Sequence, residues 1–352
     1  MAIDSIEAAL SACVSKYLIP AMPGPTLNRV IQVTLDKERY AADMAPAVID
    51  NTAYAQFVLK LDLLQSRIKD WISEMPEGQV NVRVLLERVF ILLGKQASRN
   101  LVASIRLARL SNALPRKKSD RFSVNPKEQL KHGLACEEFC ENRNYAGADL
   151  AFLAGLQYDL LFTAFTKAKA SREAMNGFQT HFPESLRIAH FAYEIGARMG
   201  AFPHSEYAFA AGLSLGLGKI LAYPLYPKEG GSNSYAAFLS DVEKKTVLKW
   251  PYAALEERKR FPVTPDELAA LSVGMLDLLR PIEPAIRHYR EAYYLKRTKP
   301  RLHPLALLLG LAESGAIGRP VSAADLADLK ALRVNPTILG EAAKAVQASK
   351  GR

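Results

Sequence analysis

The chain has 352 residues, 49% hydrophobic and 23% charged, with a formal net charge of +10. That composition excludes a disordered chain, and the length gives room for two domains, or one large one, around a substantial core. A basic balance of this size permits contact with nucleic acid, anionic lipid or an acidic partner and requires none of them. No apolar run near the roughly 18 to 20 residues that span a bilayer is expected. Residues 1–7, acidic and amphipathic, lack the basic-then-apolar order of a signal peptide, so the expected location is cytoplasmic.

Helical periodicity dominates from the N-terminus onward. Leu27, Val30, Ile31, Val33 and Thr34 share one face of a helix that Pro23-Gly24-Pro25 opens. Residues 43–64 form a long apolar-periodic stretch, and 80–110 holds two more, separated near Gly94. Turn residues predict loops at 76–78, 114–126, 177–183 and 224–234. The basic segment 114–126 is the best composition break. It predicts an N-terminal helical subdomain over 1–113, a helical subdomain over 127–317 and a helical tail over 318–352. In that tail Ser322 to Ala327 reads as a capped helix start, and Asn335-Pro336-Thr337 opens a last amphipathic helix, docked on the body or used for self-association. No clean two-residue alternation suggests a strand, so the expected class is all-α.

Cys136 and Cys140 stand one helical turn apart and Cys13 is distant, with no zinc-ligand spacing. Small buried thiols are expected. Two runs repeat one pattern: Ala154-Gly155-Leu156 and Ala211-Gly212-Leu213 each follow an amphipathic helix that begins near a histidine, His132 or His190. Two half-copies of one helical hairpin would explain this, and so would the general recurrence of small residues where helices pack closely.

Several phrases, in order, resemble the HDOD domain, the output domain related to HD phosphohydrolases. Leu18-Ile19-Pro20-Ala21-Met22-Pro23 is similar to its opening, and Val48-Ile49-Asp50-Asn51 to its next helix. Leu92-Leu93-Gly94 with Arg99-Asn100-Leu101-Val102 resembles a further phrase. The run Ala151-Phe152-Leu153-Ala154-Gly155-Leu156 is similar to the most characteristic one. Residues 256–270, Ile282 to Tyr289, His303 to Ala306 and Leu311-Ala312 resemble the closing helices, so the likeness covers roughly residues 15 to 317. It implies a multi-helix HDOD-like, HD-like architecture.

The departures matter most. A working HD site gathers histidines and aspartates from separate helices around metal ions that activate water against a phosphate ester. By the resemblance, His132 stands at the first ligand position and Asp159 at the aspartate of the His-Asp pair, with Tyr158 in place of the central histidine. The second copy keeps His190 and offers only Leu215 and Gly216. The family's C-terminal His-His pair reads His288-Tyr289. The resemblance therefore implies a pseudo-hydrolase: a non-enzymatic bacterial signalling module with no metal and no cofactor. Its expected partner is a signalling protein or a nucleotide-like small ligand.

Two alternatives stay open. One is a metal-dependent phosphohydrolase with a rearranged site built from His132, Asp159 and His190. The other is nucleic-acid binding through the basic residues 109–131 and a C-terminal cluster where Arg287, Arg290, Lys296 and Arg297 interleave with Tyr289, Tyr293 and Tyr294. Nucleic acid is the less favoured partner, since such charge is more often a solvated surface and such rings more often pack inward. Arg287, His288, Tyr289 and Arg290 are expected to form a ligand or partner face. His181 and His204 are expected in loops beside prolines, and His303 is expected to be structural. Gly212 to Lys219, with no strand before it, fails as a phosphate loop, and close helix packing accounts for its glycines.

Overall fold

A computed structural model describes residues 3–76, 80–112, 125–199, 205–227, 234–244, 252–290, 304–318, 321, 323–331 and 333–348. The all-α expectation holds: among the described residues there are helices and turns and no β-strand.

Helix α1 (Ile3–Cys13) runs into a π-helical turn, Val14–Leu18. The run that follows is held by Arg106, whose guanidinium donates to the carbonyls of Pro20 at 2.7 Å and Met22 at 2.8 Å. Helix α2 (Gly24–Leu35) starts at a glycine with φ of 80° and buries Leu27, Val30, Ile31 and Val33, the face that periodicity predicts. The stretch 43–64 is not one helix. It divides into α3 (Ala45–Ile49) and α4 (Thr52–Leu59), because Asn51 adopts extended backbone between them. Helix α5 (Gln65–Ser73) follows. Helix α6 (Val82–Leu110) begins at Asn81, whose side chain accepts from the amides of Arg83 and Val84. It kinks where Gly94 sits at φ 75°, ψ 172°, a conformation open to glycine and costly elsewhere. This is the separation expected near Gly94.

Helix α7 (Pro126–Gln129) is a single turn. Then come two long hairpins, α8 (Lys131–Glu141) with α9 (Ala148–Lys167), and α10 (Arg172–Arg198) with α11 (Ser205–Leu225). Each hairpin crosses at a glycine. A Cβ on Gly155 would lie 2.5 Å from the His132 carbonyl oxygen, and one on Gly212 would lie 2.7 Å from the Ala189 Cα. The two crossings fall at the same sequence interval, one at His132 and the other at Ala189, the neighbour of His190, although α8 has 11 residues and α10 has 27.

Two sequence expectations are corrected here. The loop at 177–183 is the middle of α10, with Pro183 inside the helix and His181 buried on it. Gly177 lies so close to the Tyr223 ring that a Cβ would meet it at 2.9 Å, so this glycine serves packing and does not mark a turn. In addition, α9 and α11 are long and apolar enough to cross a membrane by length and composition, contrary to the expectation of no such run. However, 78% and 83% of their apolar windows are buried inside the fold, as in core helices of globular proteins.

Of the next four helices, α12 (Tyr235–Lys244) and α14 (Pro265–Gly274) pack on α11, α15 (Glu283–His288) packs on α14, and α13 (Tyr252–Arg260) meets α12 where Tyr235 faces Glu257. The stretch 256–270 therefore contains two helices, and Thr264 opens the second with a reciprocal capping box to Glu267. A methyl on Gly218 would overlap the Pro265 carbonyl, so α11 and α14 touch backbone to backbone. Helix α16 (Pro304–Ala316) covers α10. The tail forms α17 (Ala323–Ala331) and α18 (Thr337–Ala348), and α18 docks on α10 through buried Ile338 and Ala342.

One contiguous set of buried side chains reaches from Cys13 to Ala342, so the three predicted segments share a core. Arg99 on α6 is fully buried and clamps the first segment to the second. It contacts both carboxylate oxygens of Glu137 on α8, at 2.8 and 2.6 Å, and reaches Asp149 on α9 at 2.8 Å. Its guanidinium also lies 3.6 Å from the centre of the Phe152 ring. All three cysteines are free and buried, and burial pushes the thiols of Cys13 and Cys140 up to about 12, which removes them from thiolate chemistry at neutral pH.

Candidate functional site

Two of the expected site residues, His132 and Asp159, come together. Helix α8 starts at Leu130, which supplies no side-chain cap, so its first amides need an acceptor from elsewhere. Asp159, reaching across from α9, supplies it. Its Oδ1 accepts from the His132 amide at 3.0 Å and its Oδ2 from the Gly133 amide at 2.9 Å. The His132 ring places Nδ1 2.8 Å from the same Oδ1. A carboxylate at the positive end of a helix is favoured electrostatically as well as by its hydrogen bonds. Close approach of α8 and α9 at Gly155 lets the carboxylate reach both amides.

Tyr158, the neighbour of Asp159, is fully buried. Its hydroxyl donates to the Leu213 carbonyl at 2.7 Å, and burial pushes its ionisation well above the ordinary phenol range. A methyl on Gly216 would overlap both that hydroxyl and Ser185 Oγ. The phenol therefore fills the space that Gly216 leaves open. Leu215 is a core side chain on α11.

His190 does not join this group. His132 packs edge-on against Phe182 at 4.4 Å between ring centres, and from Phe182 to His190 α10 rises roughly 12 Å at about 1.5 Å per residue. His190 instead packs edge-on against Phe139 at 5.1 Å, with the Tyr145 ring at 5.8 Å. Its Nε2 has no hydrogen-bond partner among the described residues, and the nearest Glu194 oxygen is 4.0 Å away. Burial pulls its ionisation down to about 4, so the ring is neutral at pH 7.

These positions do not fit a hydrolytic metal centre. Asp159 already receives three donors, Tyr158 holds its proton and gives it to a carbonyl, and His190 is two turns away. Among the described residues no three His, Cys, Asp or Glu side chains converge to hold a metal ion. The pair does stand in the wall of an open cleft of about 590 Å³. Leu107, Ala135, Phe162, Phe178 and Phe182 give the cleft its apolar lining, Lys131 and Gln179 add polar groups, and Phe162 is 41% exposed.

The four residues expected to share a face at 287–290 are split between surface and interior. Arg287 and His288 are exposed on α15, but Tyr289 and Arg290 are buried at 1% and 2%. Three carboxylates, on Glu257, Asp266 and Glu313, draw Arg290 into the interior at 2.7, 3.2 and 2.7 Å. His204, His303, Tyr293, Tyr294, Lys296, Arg297 and the basic residues 113–124 lie outside the described residues. The sequence reading passed over this buried charge network. Its signal was present: Lys219 and Glu313 are the lone charges in the apolar runs 207–225 and 304–316.

No family model, no curated protein and no solved structure matches the chain.

Proposed function

We propose that the chain is a non-catalytic signalling module of the HDOD kind, which works by non-covalent contact and uses the cleft beside His132 as its binding surface. The observation that carries this reading is the engagement of Asp159. Its carboxylate caps α8 through two amides and orients His132, which is a structural use of the residue that an HD hydrolase would need for metal. The occupant that suits such a wall is an apolar side chain of a signalling partner or the ring of a small ligand. It would stack among Phe162, Phe178 and Phe182, with the exposed edge of His132 as a polar handle.

Elemental analysis and phosphodiesterase assays on protein purified without chelator or metal-affinity resin test this directly. The expected result is no stoichiometric transition metal and no turnover of bis(4-nitrophenyl) phosphate with added Mn²⁺, Fe²⁺ or Mg²⁺. Metal-dependent turnover that disappears in Asp159→Asn would overturn the reading and establish a rearranged hydrolase.

A further inference from the structure

A second cavity, of about 420 Å³, lies between α10, α11, α12 and α16, away from the His132 cleft. Its mouth carries Asn176 and Thr180, both exposed. One wall is aromatic and aliphatic, formed by Tyr223, Tyr235, Phe238 and Leu239. The opposite side is charged: Lys219 and Glu184, both half-buried, pair at 3.0 Å, and the buried Arg290 pairs with the buried Glu257, Asp266 and Glu313. His181 stands between Glu184, at 3.4 Å, and the Tyr223 hydroxyl, at 3.2 Å.

The hydrogen bonding of the carboxylates decides what this cavity attracts. Glu184 pairs with Lys219, and Glu257, Asp266 and Glu313 pair with Arg290. A carboxylate in a low-dielectric interior is satisfied by donors, by a proton or by a bound cation. At Glu257 burial pushes the carboxyl above its usual range, though Arg290 opposes this, and the Tyr235 hydroxyl lies 3.3 Å away. Glu184 goes the other way. Burial raises it, but Lys219 and His181 outweigh burial and hold it ionised. Glu313 is bonded at one oxygen only. It is 3% exposed and lines the cavity; one oxygen accepts from Arg290, and the other, Oε2, has no hydrogen-bond partner among the described residues. A buried carboxylate oxygen with no donor is costly unless a ligand supplies one.

An anionic ligand is disfavoured, because Lys219 and Arg290 already hold carboxylates. We propose that this cavity binds a small organic cation, an amine or guanidinium on an apolar stem, with the cationic head on Glu313 and the stem along Tyr223, Tyr235 and Phe238. Aromatic walls beside a carboxylate suit such a group, since ring faces attract cations and the stem buries apolar surface. The volume falls in the range of about 300–1,000 Å³ that small-molecule sites occupy.

This site is independent of the His132 cleft, so its test leaves the first proposal untouched. The experiment is titration calorimetry on the full chain, with agmatine and 2-phenylethylamine as probes and N-acetylated 2-phenylethylamine and inorganic phosphate as controls. At least one cationic probe is expected to bind one-to-one, with no heat from either control. Glu313→Gln should weaken binding at least tenfold. Because that substitution also touches the Arg290 pairing, Thr180→Trp serves as a second variant: it leaves the buried network intact and obstructs the mouth, and it should weaken binding by a similar factor. The proposal is overturned if neither cation binds at concentrations up to about 5 mM, if phosphate binds in preference, or if both variants bind as the parent does.

Discussion

His190 shows how a buried side chain makes stability depend on pH. Its ring is wedged against Phe139, with Glu194, Arg143 and Tyr145 as the ionisable groups around it, and burial is the largest influence, lowering its ionisation to about 4. An unfolded histidine titrates near 6.5, so between about pH 6.5 and pH 4 the unfolded chain binds a proton that the folded chain refuses. The contribution is therefore complete above about pH 6.5 and is lost as pH falls toward 4, to the extent of about 2 kcal/mol. Urea unfolding of the parent should show a drop of that order between pH 7 and pH 4.5. His190→Gln, which cannot titrate there, should flatten the difference. An equal drop in both proteins would place the acid sensitivity elsewhere.

At the scale of elements, glycines divide into those that permit helix contact and those that do not matter. Gly155→Ala and Gly212→Ala each force a methyl into the opposing backbone, and each should cost about 1–3 kcal/mol in urea melts. Gly340→Ala, on an exposed face of α18 with nothing within 4 Å, should gain up to about 1 kcal/mol, because alanine loses less freedom in a helix. If the two hairpin variants were neutral, the glycine crossings would carry no energetic meaning.

The same helices show what could be read in advance. The Gly94 break was legible because an apolar-periodic run was interrupted at the one residue that tolerates the required backbone. The continuity of α10 was not, since Gly177 and Pro183 signal turns locally while contacts with α11 and Tyr223 hold the helix together. The sequence singled out both His132 and Asp159, but the role of Asp159 as a cap in trans depends on where α9 crosses α8, which no local pattern records. The sites of Tyr289 and Arg290 were misplaced for a similar reason: the acids that pull Arg290 inward come from three helices distant in sequence.

At the scale of the whole molecule, the shared core and the Arg99 clamp predict one cooperative unfolding transition. Calorimetry should give a single peak with equal calorimetric and van't Hoff enthalpies, whereas two peaks would mean that the segments fold separately. Arg99→Met leaves Glu137 buried without its partner and should cost about 3–5 kcal/mol while keeping the transition single. A large loss is expected even though both segments retain their own apolar contacts, because an uncompensated charge would be trapped where they meet.

The proline inside α10 has a consequence for the cleft. Pro183 has no amide hydrogen, so the carbonyl of Gln179, one turn earlier, lacks the donor that an uninterrupted helix would give it. Both residues belong to the cleft wall that contains His132. The broken ladder leaves that carbonyl to be satisfied from outside its own helix, in a stretch of α10 that lies along a lining made largely of rings and aliphatic carbons.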